Sequence, residues 1–214
     1  QHIFQGLGTE IDEKIVEENK QAKPGTKVTI TQEDRKKEYD FGFEVADFAE
    51  TKEIKPDSTT VFEIRYGRKL FSVNFEVNFN GTHFQGVNFK NPESQTVKYA
   101  GKAVEPKSPS ITKPGHNFVF KHWQLKDEMN GVYKKIAAFD FSQPIVKNIV
   151  LVAYFEELFS VNYDIELENA DGTFETKQES QGWFQAGYVH TANYVNPDST
   201  IYENPVYSVS NLTV

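Results

Sequence analysis

The chain has 214 residues but no cysteine, a single methionine and no long apolar run. Without cysteine there can be no disulfide, no zinc-thiolate or iron–sulfur site and no cysteine nucleophile. The longest unbroken apolar segment, residues 149–155, has seven residues, whereas a membrane-spanning helix needs about 20. We therefore predict that the chain contains no membrane span.

Basic residues are fewer than acidic ones, with 23 Lys and Arg against 31 Asp and Glu, and the net charge is -8. Nonspecific binding of nucleic acid depends on a basic surface, so we expect no nucleic-acid partner. Aromatic residues are plentiful, with 18 Phe, 10 Tyr and 2 Trp. This apolar material is enough for packed cores and argues against a disordered chain.

Motifs for catalysis and metal binding are also missing from the sequence. The five histidines show no His-x-x-x-His or zincin spacing, and no phosphate-binding loop or nucleophile elbow occurs. The acidic pairs do not follow the pattern of a calcium-binding loop. We therefore expect no catalytic residue, no metal site and no cofactor.

One short segment occurs twice, and we call this the echo. Residues 70–75 (LFSVNF) and 158–163 (LFSVNY) share five of six residues and lie 88 residues apart (158 − 70). A strand-like run, residues 61–66 or 149–155, precedes each copy. A second echo, PDST at 56–59 and 197–200, has another spacing, which favours modules of differing type over one regular solenoid.

These repeats predict three units, residues 1–69, 70–157 and 158–214. The linkers would be residues 67–69 and 156–157, and their charges indicate solvated, unpacked boundaries. Because such linkers leave little slack, we expect an elongated rod of successive units. The alternative is one continuous β-sandwich in which the two strands are similar by coincidence.

The fold class predicted for all three units is mainly β, α+β in detail. Phe71, Val73 and Phe75 alternate with polar residues, as in a half-buried strand. Asn80-Gly81, Asn130-Gly131 and Asp171-Gly172 are dipeptides typical of hairpin turns. Helix is expected only around residues 11–19, 32–38 and 141–148, where Pro144 interrupts the last segment.

The middle unit carries an ordered pattern of residues that continues almost to its end. It consists of residues 95–104 (QTVKYAGKAV), Pro106, Pro109, residues 113–118 (KPGHNF), Trp123, residues 139–141 (FDF), Pro144-Ile145 and residues 151–155 (LVAYF). This pattern, over about residues 71–157, resembles the internalin-type B repeat, also called the Listeria-Bacteroides repeat. The resemblance implies a β-grasp-like module, in which a small twisted sheet packs on one short helix, with Phe118, Trp123, Phe139 and Leu151 in its core. His116 stands where the family usually has Tyr, so we expect it to pack as an aromatic ring.

The flanking units are similar to other modules of such surface proteins. Residues 1–69 resemble a mucin-binding-protein-like repeat with a truncated first strand, on the evidence of residues 2–5, 24–28 and 56–66. Residues 158–214 begin like a third, partial or divergent β module. The resemblance implies a non-catalytic, monomeric repeat segment of a secreted or wall-attached bacterial surface protein, located outside the cell and acting as an adhesin or as a spacer.

An adhesin would bind a host glycan or a host surface protein, and exposed aromatic residues could form its contact surface. Trp183, Tyr188 and Tyr194 are the candidates for such ligand-binding aromatics, and packing in a small core is the alternative for each. The rival function is a carbohydrate-binding or accessory module of a secreted hydrolase. A hydrolase could use Glu166 and Glu168, which alternation along a strand would place on one face.

Overall fold

The computed structural model describes residues 1–8, 12–45, 50–82, 84–191 and 211–213. Strands account for 43% of the chain and helix for 7%, which confirms the mainly β fold class. No helix among these residues is long and apolar enough to cross a membrane.

The strands follow one another with few helical turns between them. In chain order they are β1 (His2–Gln5), β2 (Asp12–Val16), β3 (Lys27–Thr29), β4 (Phe43–Val45), β5 (Thr51–Glu53), β6 (Ile64–Arg68), β7 (Leu70–Glu76), β8 (Gln95–Lys98), β9 (Asn117–Leu125), β10 (Ile149–Glu168), β11 (Phe174–Gln185), β12 (Val189–Thr191) and β13 (Asn211–Thr213). Short 3₁₀ helices lie at Gln32–Asp34, Lys37–Tyr39, Phe79–Gly81 and Asp127–Met129.

Two mixed sheets share one strand order. The first sheet has the order β2-β1-β6-β4. The second sheet has five strands, four of which follow the order β8-β7-β10-β9, while β11 pairs with a later part of β10. In each set of four, the first strand along the chain pairs antiparallel with the next one and parallel with the last one. The last strand then pairs antiparallel with the strand at the other edge. β3 with β5 and β12 with β13 form separate two-stranded ladders.

Each of these sheets carries a hydrophobic cluster of its own. Phe4, Ile64 and Tyr66 form the cluster of the first sheet. The cluster of the second sheet contains Val73, Phe75, Trp123, Leu151, Ala153 and Phe155, among others. The expected core residues Trp123 and Leu151 are buried, and Phe118 and Phe139 pack half-buried against them. The alternation of β7 therefore has the predicted effect of placing one face of the strand in the core.

β10 is a single strand of 20 residues that belongs to two pairings. Its first part pairs with β7 and β9, and its last part pairs with β11 from Leu158 to Glu168. The segment 156–157, expected as a linker, therefore lies inside a strand. In the segment 67–69, Gly67 and Arg68 belong to β6, and Lys69 alone separates β6 from β7.

Two of the three expected hairpin turns are wrong. Asn80-Gly81 and Asn130-Gly131 do have positive φ, but among the described residues no strand follows either turn directly. β7 ends at Glu76 and pairs with β8, which begins only at Gln95. β9 ends at Leu125 and pairs with β10, which begins only at Ile149. Because both turns lie in long connections rather than tight hairpins, the dipeptide predicted the local backbone but not the pairing. Asp171-Gly172 is confirmed, since it joins β10 and β11 with Glu168 opposite Phe174.

The expected helices are largely replaced by other structure. Residues 12–16 form β2, residues 141–148 contain no helix, and residues 32–38 contain only 3₁₀ turns. Ile145 instead exchanges backbone hydrogen bonds with the turn after β8, donating to Gly101 and accepting from Ala100. β6 begins at Ile64 rather than at Val61.

Trp123 tests the burial of the second cluster. It is 1% exposed, so we expect Trp123→Ala to cost about 3–5 kcal/mol of unfolding free energy. Trp183 is 42% exposed, and Trp183→Ala is the matched control, with an expected change within about 0.5 kcal/mol. Urea unfolding followed by circular dichroism measures both. Equal midpoints for the two variants would show that Trp123 is not part of a stabilising core.

Candidate functional site

The connection between the first and second sheets, which we call the first junction, is fixed by hydrogen bonds around Lys69. The Lys69 N–H donates to the Gly42 carbonyl at 2.9 Å, and the Tyr99 N–H donates to the Lys69 carbonyl at 2.7 Å. The Arg68 guanidinium donates to the Tyr99 carbonyl at 3.0 Å and to the Gln5 carbonyl at 2.8 Å. The Lys69 ammonium donates to the Asp40 carbonyl. Both cations of the expected linker therefore bind backbone oxygens of the neighbouring elements.

The ring of Tyr99 packs between the two sheets. Its centroid lies 5.4 Å from that of Phe41, 5.6 Å from that of Phe43 and 6.4 Å from that of Phe71. A Cβ added at Gly42 would lie 2.4 Å from the Tyr99 ring. The first junction is therefore a packed aromatic contact rather than the solvated boundary expected from its charges.

The second junction lies within β10, where Glu156 contacts two other strands and one loop. Its Oε2 is 2.9 Å from the Lys121 ammonium in β9 and accepts a hydrogen bond of 2.5 Å from the Gln185 amide in β11. Its Oε1 is 3.6 Å from the Lys135 ammonium. The hydrogen bond from Lys121 is the largest cause of the lowered pKa of Glu156. We call these four residues the Glu156 cluster.

The adjacent Glu157 also has a partner. It pairs with the ring of His116, which in turn stacks on Phe118 with the ring centroids 5.8 Å apart and the planes 6° apart. His116 therefore packs as an aromatic residue, as expected, and also forms a polar contact that the sequence did not indicate.

The two junctions have corresponding backbone positions when Leu70 is matched to Leu158. Leu70 lies opposite Lys98, and Leu158 lies opposite Gln185. Arg68 lies opposite Phe43, and its counterpart Glu156 lies opposite Val119. The strands β4 and β9 therefore correspond, as do β8 and β11.

The similarity continues into the turns that follow β8 and β11. The Lys98 carbonyl accepts from Gly101 N–H at 2.8 Å, and the Gln185 carbonyl accepts from Tyr188 N–H at 3.1 Å. The third residue of each turn has positive φ, 61° at Ala100 and 82° at Gly187, as in a type II turn. The structural repeat is thus longer than the six-residue echo, and Ala186 occupies the position of Tyr99.

The structure does not bring the three candidate aromatics together. Trp183 lies opposite Ser160, on one face of the β10–β11 hairpin. On the other face Phe184 lies opposite Phe159, and Tyr188 stacks on Phe184 with the centroids 4.8 Å apart. Trp183 is 42% exposed and Tyr188 is 48% exposed. Tyr194 lies outside the described residues.

The carboxylates proposed for a hydrolase share one face of β10, as alternation predicts. Glu166 lies opposite Thr176 and Glu168 lies opposite Phe174, so their cross-strand neighbours supply neither an acid nor a base. In the described part of the chain, no three His, Asp or Glu side chains are grouped closely enough to hold a metal ion. An open cavity of about 470 Å³ lies beside His116 and Phe118 and is also bordered by Asn88, Ile111 and Lys113.

Comparison of the chain with protein-family models, curated proteins and solved structures gives no match. A function is therefore inferred from two sets of contacts. Tyr99 packs between the two sheets, and Glu156 joins β10 to β9 and β11.

The contact between Gly42 and Tyr99 can be tested by adding one methyl group. Gly42→Ala would force the Tyr99 ring out of its contact, and we expect a loss of about 1–3 kcal/mol of unfolding free energy. In a Tyr99→Ala background the added methyl has room, so Gly42→Ala should then cost far less. Gly8→Ala is the control, because a Cβ at Gly8 meets nothing within 4 Å. Identical costs of Gly42→Ala in both backgrounds would contradict the packed junction.

Proposed function

We propose that the chain is a non-catalytic spacer segment of a secreted or wall-attached bacterial surface protein, built from β-grasp-like modules arranged as a rod. The observation that carries this proposal is the continuity of the strands at both junctions. β10 passes through the second junction without a break, and Lys69 alone interrupts the strands at the first. A spacer has to hold its ends apart, and a strand that two units share leaves no flexible linker between them.

The order of the strands supports β-grasp-like modules. Both four-stranded arrangements place the first and last strands side by side and parallel at the centre, with the other two strands at the edges. The small sheet of a β-grasp module, which the resemblance to B repeats implies, suits such an arrangement. The helix of such a module is represented in the described residues only by 3₁₀ turns.

The length of β10 supports an extended arrangement. A strand of 20 residues spans about 65 Å at the usual rise per residue, which is long for a chain of this size. The location at a bacterial surface depends on the B-repeat pattern of residues 71–157.

Small-angle scattering tests the rod. A compact domain of this length would have a radius of gyration of about 17 Å, and we expect a clearly larger value with a distance distribution that has one peak and a long tail. Measurements at several protein concentrations exclude association as the source of the larger value. A radius near the compact value would overturn the spacer proposal.

A second candidate function, adhesion, is favoured by the exposure of Trp183 in a polar strand. An adhesin should bind host glycans or host surface proteins on an array, and Trp183→Ala should weaken that binding at least tenfold, as loss of an aromatic anchor does. Phe174→Ala is the control, because Phe174 lies on the same face and is 63% exposed. Glycosidase turnover that Glu166→Gln abolishes would instead favour the hydrolase.

A further inference from the structure

We infer that the Glu156 cluster is an electrostatic lock that sets the orientation of the second junction and that salt weakens it, while the first junction is insensitive to salt. This inference depends on the proposed spacer function, since it concerns the stiffness of the rod. It follows from the pairing of β10, from the contacts of Glu156 and from the difference in chemistry between the two junctions.

The sheet is narrow at the second junction. Leu158 has two cross-strand partners, Asn117 of β9 and Gln185 of β11, so these two strands lie on opposite edges of β10. β7 lies on the same edge as β11, but its pairing with β10 ends at Val152. Among the described residues, no strand pairs with this edge between Val152 and Leu158.

A tyrosine hydroxyl fills part of this gap. The Tyr133 hydroxyl donates to the Ala153 carbonyl at 3.1 Å and accepts from the Phe155 N–H at 2.9 Å. Burial raises the pKa of Tyr133 to about 12, so the hydroxyl stays protonated and remains a donor at neutral pH. The backbone ladder on this edge resumes only at Leu158, so in this section of β10 Glu156 and Glu157 are paired with β9 alone.

The Glu156 carboxylate joins the elements on both sides of this section. Lys121 belongs to β9 and lies at its register shift, between the residues paired with Tyr154 and Phe155. Gln185 is the last residue of β11, and Lys135 lies in the segment that follows the 3₁₀ turn after β9. One side chain therefore ties β11 to β9 and to the adjacent segment, so that a change of angle between them breaks at least one of its contacts.

Exposure of the partners makes this lock sensitive to ionic strength. The side chains of Lys121, Lys135 and Glu156 are 38%, 62% and 19% exposed, so salt in the solvent screens their attraction. At the first junction, by contrast, the ring of Tyr99 packs against Phe41 and Phe43, and Arg68 and Lys69 bind backbone carbonyls. Salt does not weaken the packing of these aromatic rings.

The absence of cysteine allows spin labels to be placed at chosen pairs of sites in the full chain. Glu128→Cys with Lys177→Cys spans the second junction, and Lys23→Cys with Glu128→Cys spans the first; all three side chains are exposed. Pulsed electron paramagnetic resonance then gives the distribution of distances between the two spin labels across each junction. We expect narrow distributions for both at low salt, and loss of the narrow distribution only at the second junction at about 1 M salt, where the screening length is about 3 Å.

Two charge-matched variants separate the lock from a general charge effect. Glu156→Gln should broaden the second distribution at every salt concentration, whereas Glu166→Gln, which removes the same charge further along β10, should leave it narrow. The double variant Glu156→Lys with Lys121→Glu should restore part of the narrow distribution. Melting curves establish that each variant is folded.

The results distinguish the lock from the spacer. A second distribution that stays narrow in salt and in Glu156→Gln overturns the lock, even if scattering shows a rod. Equal broadening at both junctions also overturns it, because among the described residues no ion pair joins a side chain of the first sheet's unit to one of the second. A compact radius of gyration overturns the spacer while leaving the effect of Glu156 on the local distance measurable.

Discussion

The arrangement of this protein depends on the continuity of β10, because one strand supplies backbone hydrogen-bonding groups to two successive sets of partners. Its first part needs β7 and β9, and its last part needs β11. A strand presents its N–H and C=O groups to two opposite edges. The strands that pair with the first part of β10 therefore determine the direction in which its last part presents these groups to β11. The hairpin after Leu158 is therefore oriented by the sheet before it.

Charge at the junctions has a different role from the one that the linear sequence indicates. Arg68-Lys69 and Glu156-Glu157 resemble short solvated linkers, but each pair is bound by groups from neighbouring elements. The two pairs have opposite sign and occupy corresponding positions beside Leu70 and Leu158. The basic pair donates hydrogen bonds to backbone carbonyls, whereas the acidic pair accepts hydrogen bonds from, or pairs with, Lys, Gln and His side chains. The same backbone geometry is therefore stabilised by different interactions at the two junctions.

Sequence patterns over a few residues predicted those features of the fold that depend on residues close together in the chain. The alternation of β7, the burial of Trp123 and the turn at Asp171-Gly172 could be predicted, because periodicity and turn preference act over a few residues. The partner of β7 could not, since Asn80-Gly81 has suitable dihedral angles without a paired strand after it. The Glu156 cluster was missed for the same reason: Glu156, Lys121 and Gln185 are far apart in sequence, and no motif connects them.

Ala100 illustrates why the structural repeat extends beyond the echo. A positive φ costs a residue with a Cβ about 1–2 kcal/mol, and at the corresponding position of the other hairpin Gly187 avoids that cost. The strain at Ala100 is offset by backbone hydrogen bonds on both sides, from Ala100 N–H to Ile145 at 2.8 Å and from Ile145 N–H to Gly101 at 2.7 Å. The turn also holds Tyr99 against Phe41 and Phe43. Backbone geometry thus recurs at both junctions, while the residues that occupy it differ according to the contact each junction makes.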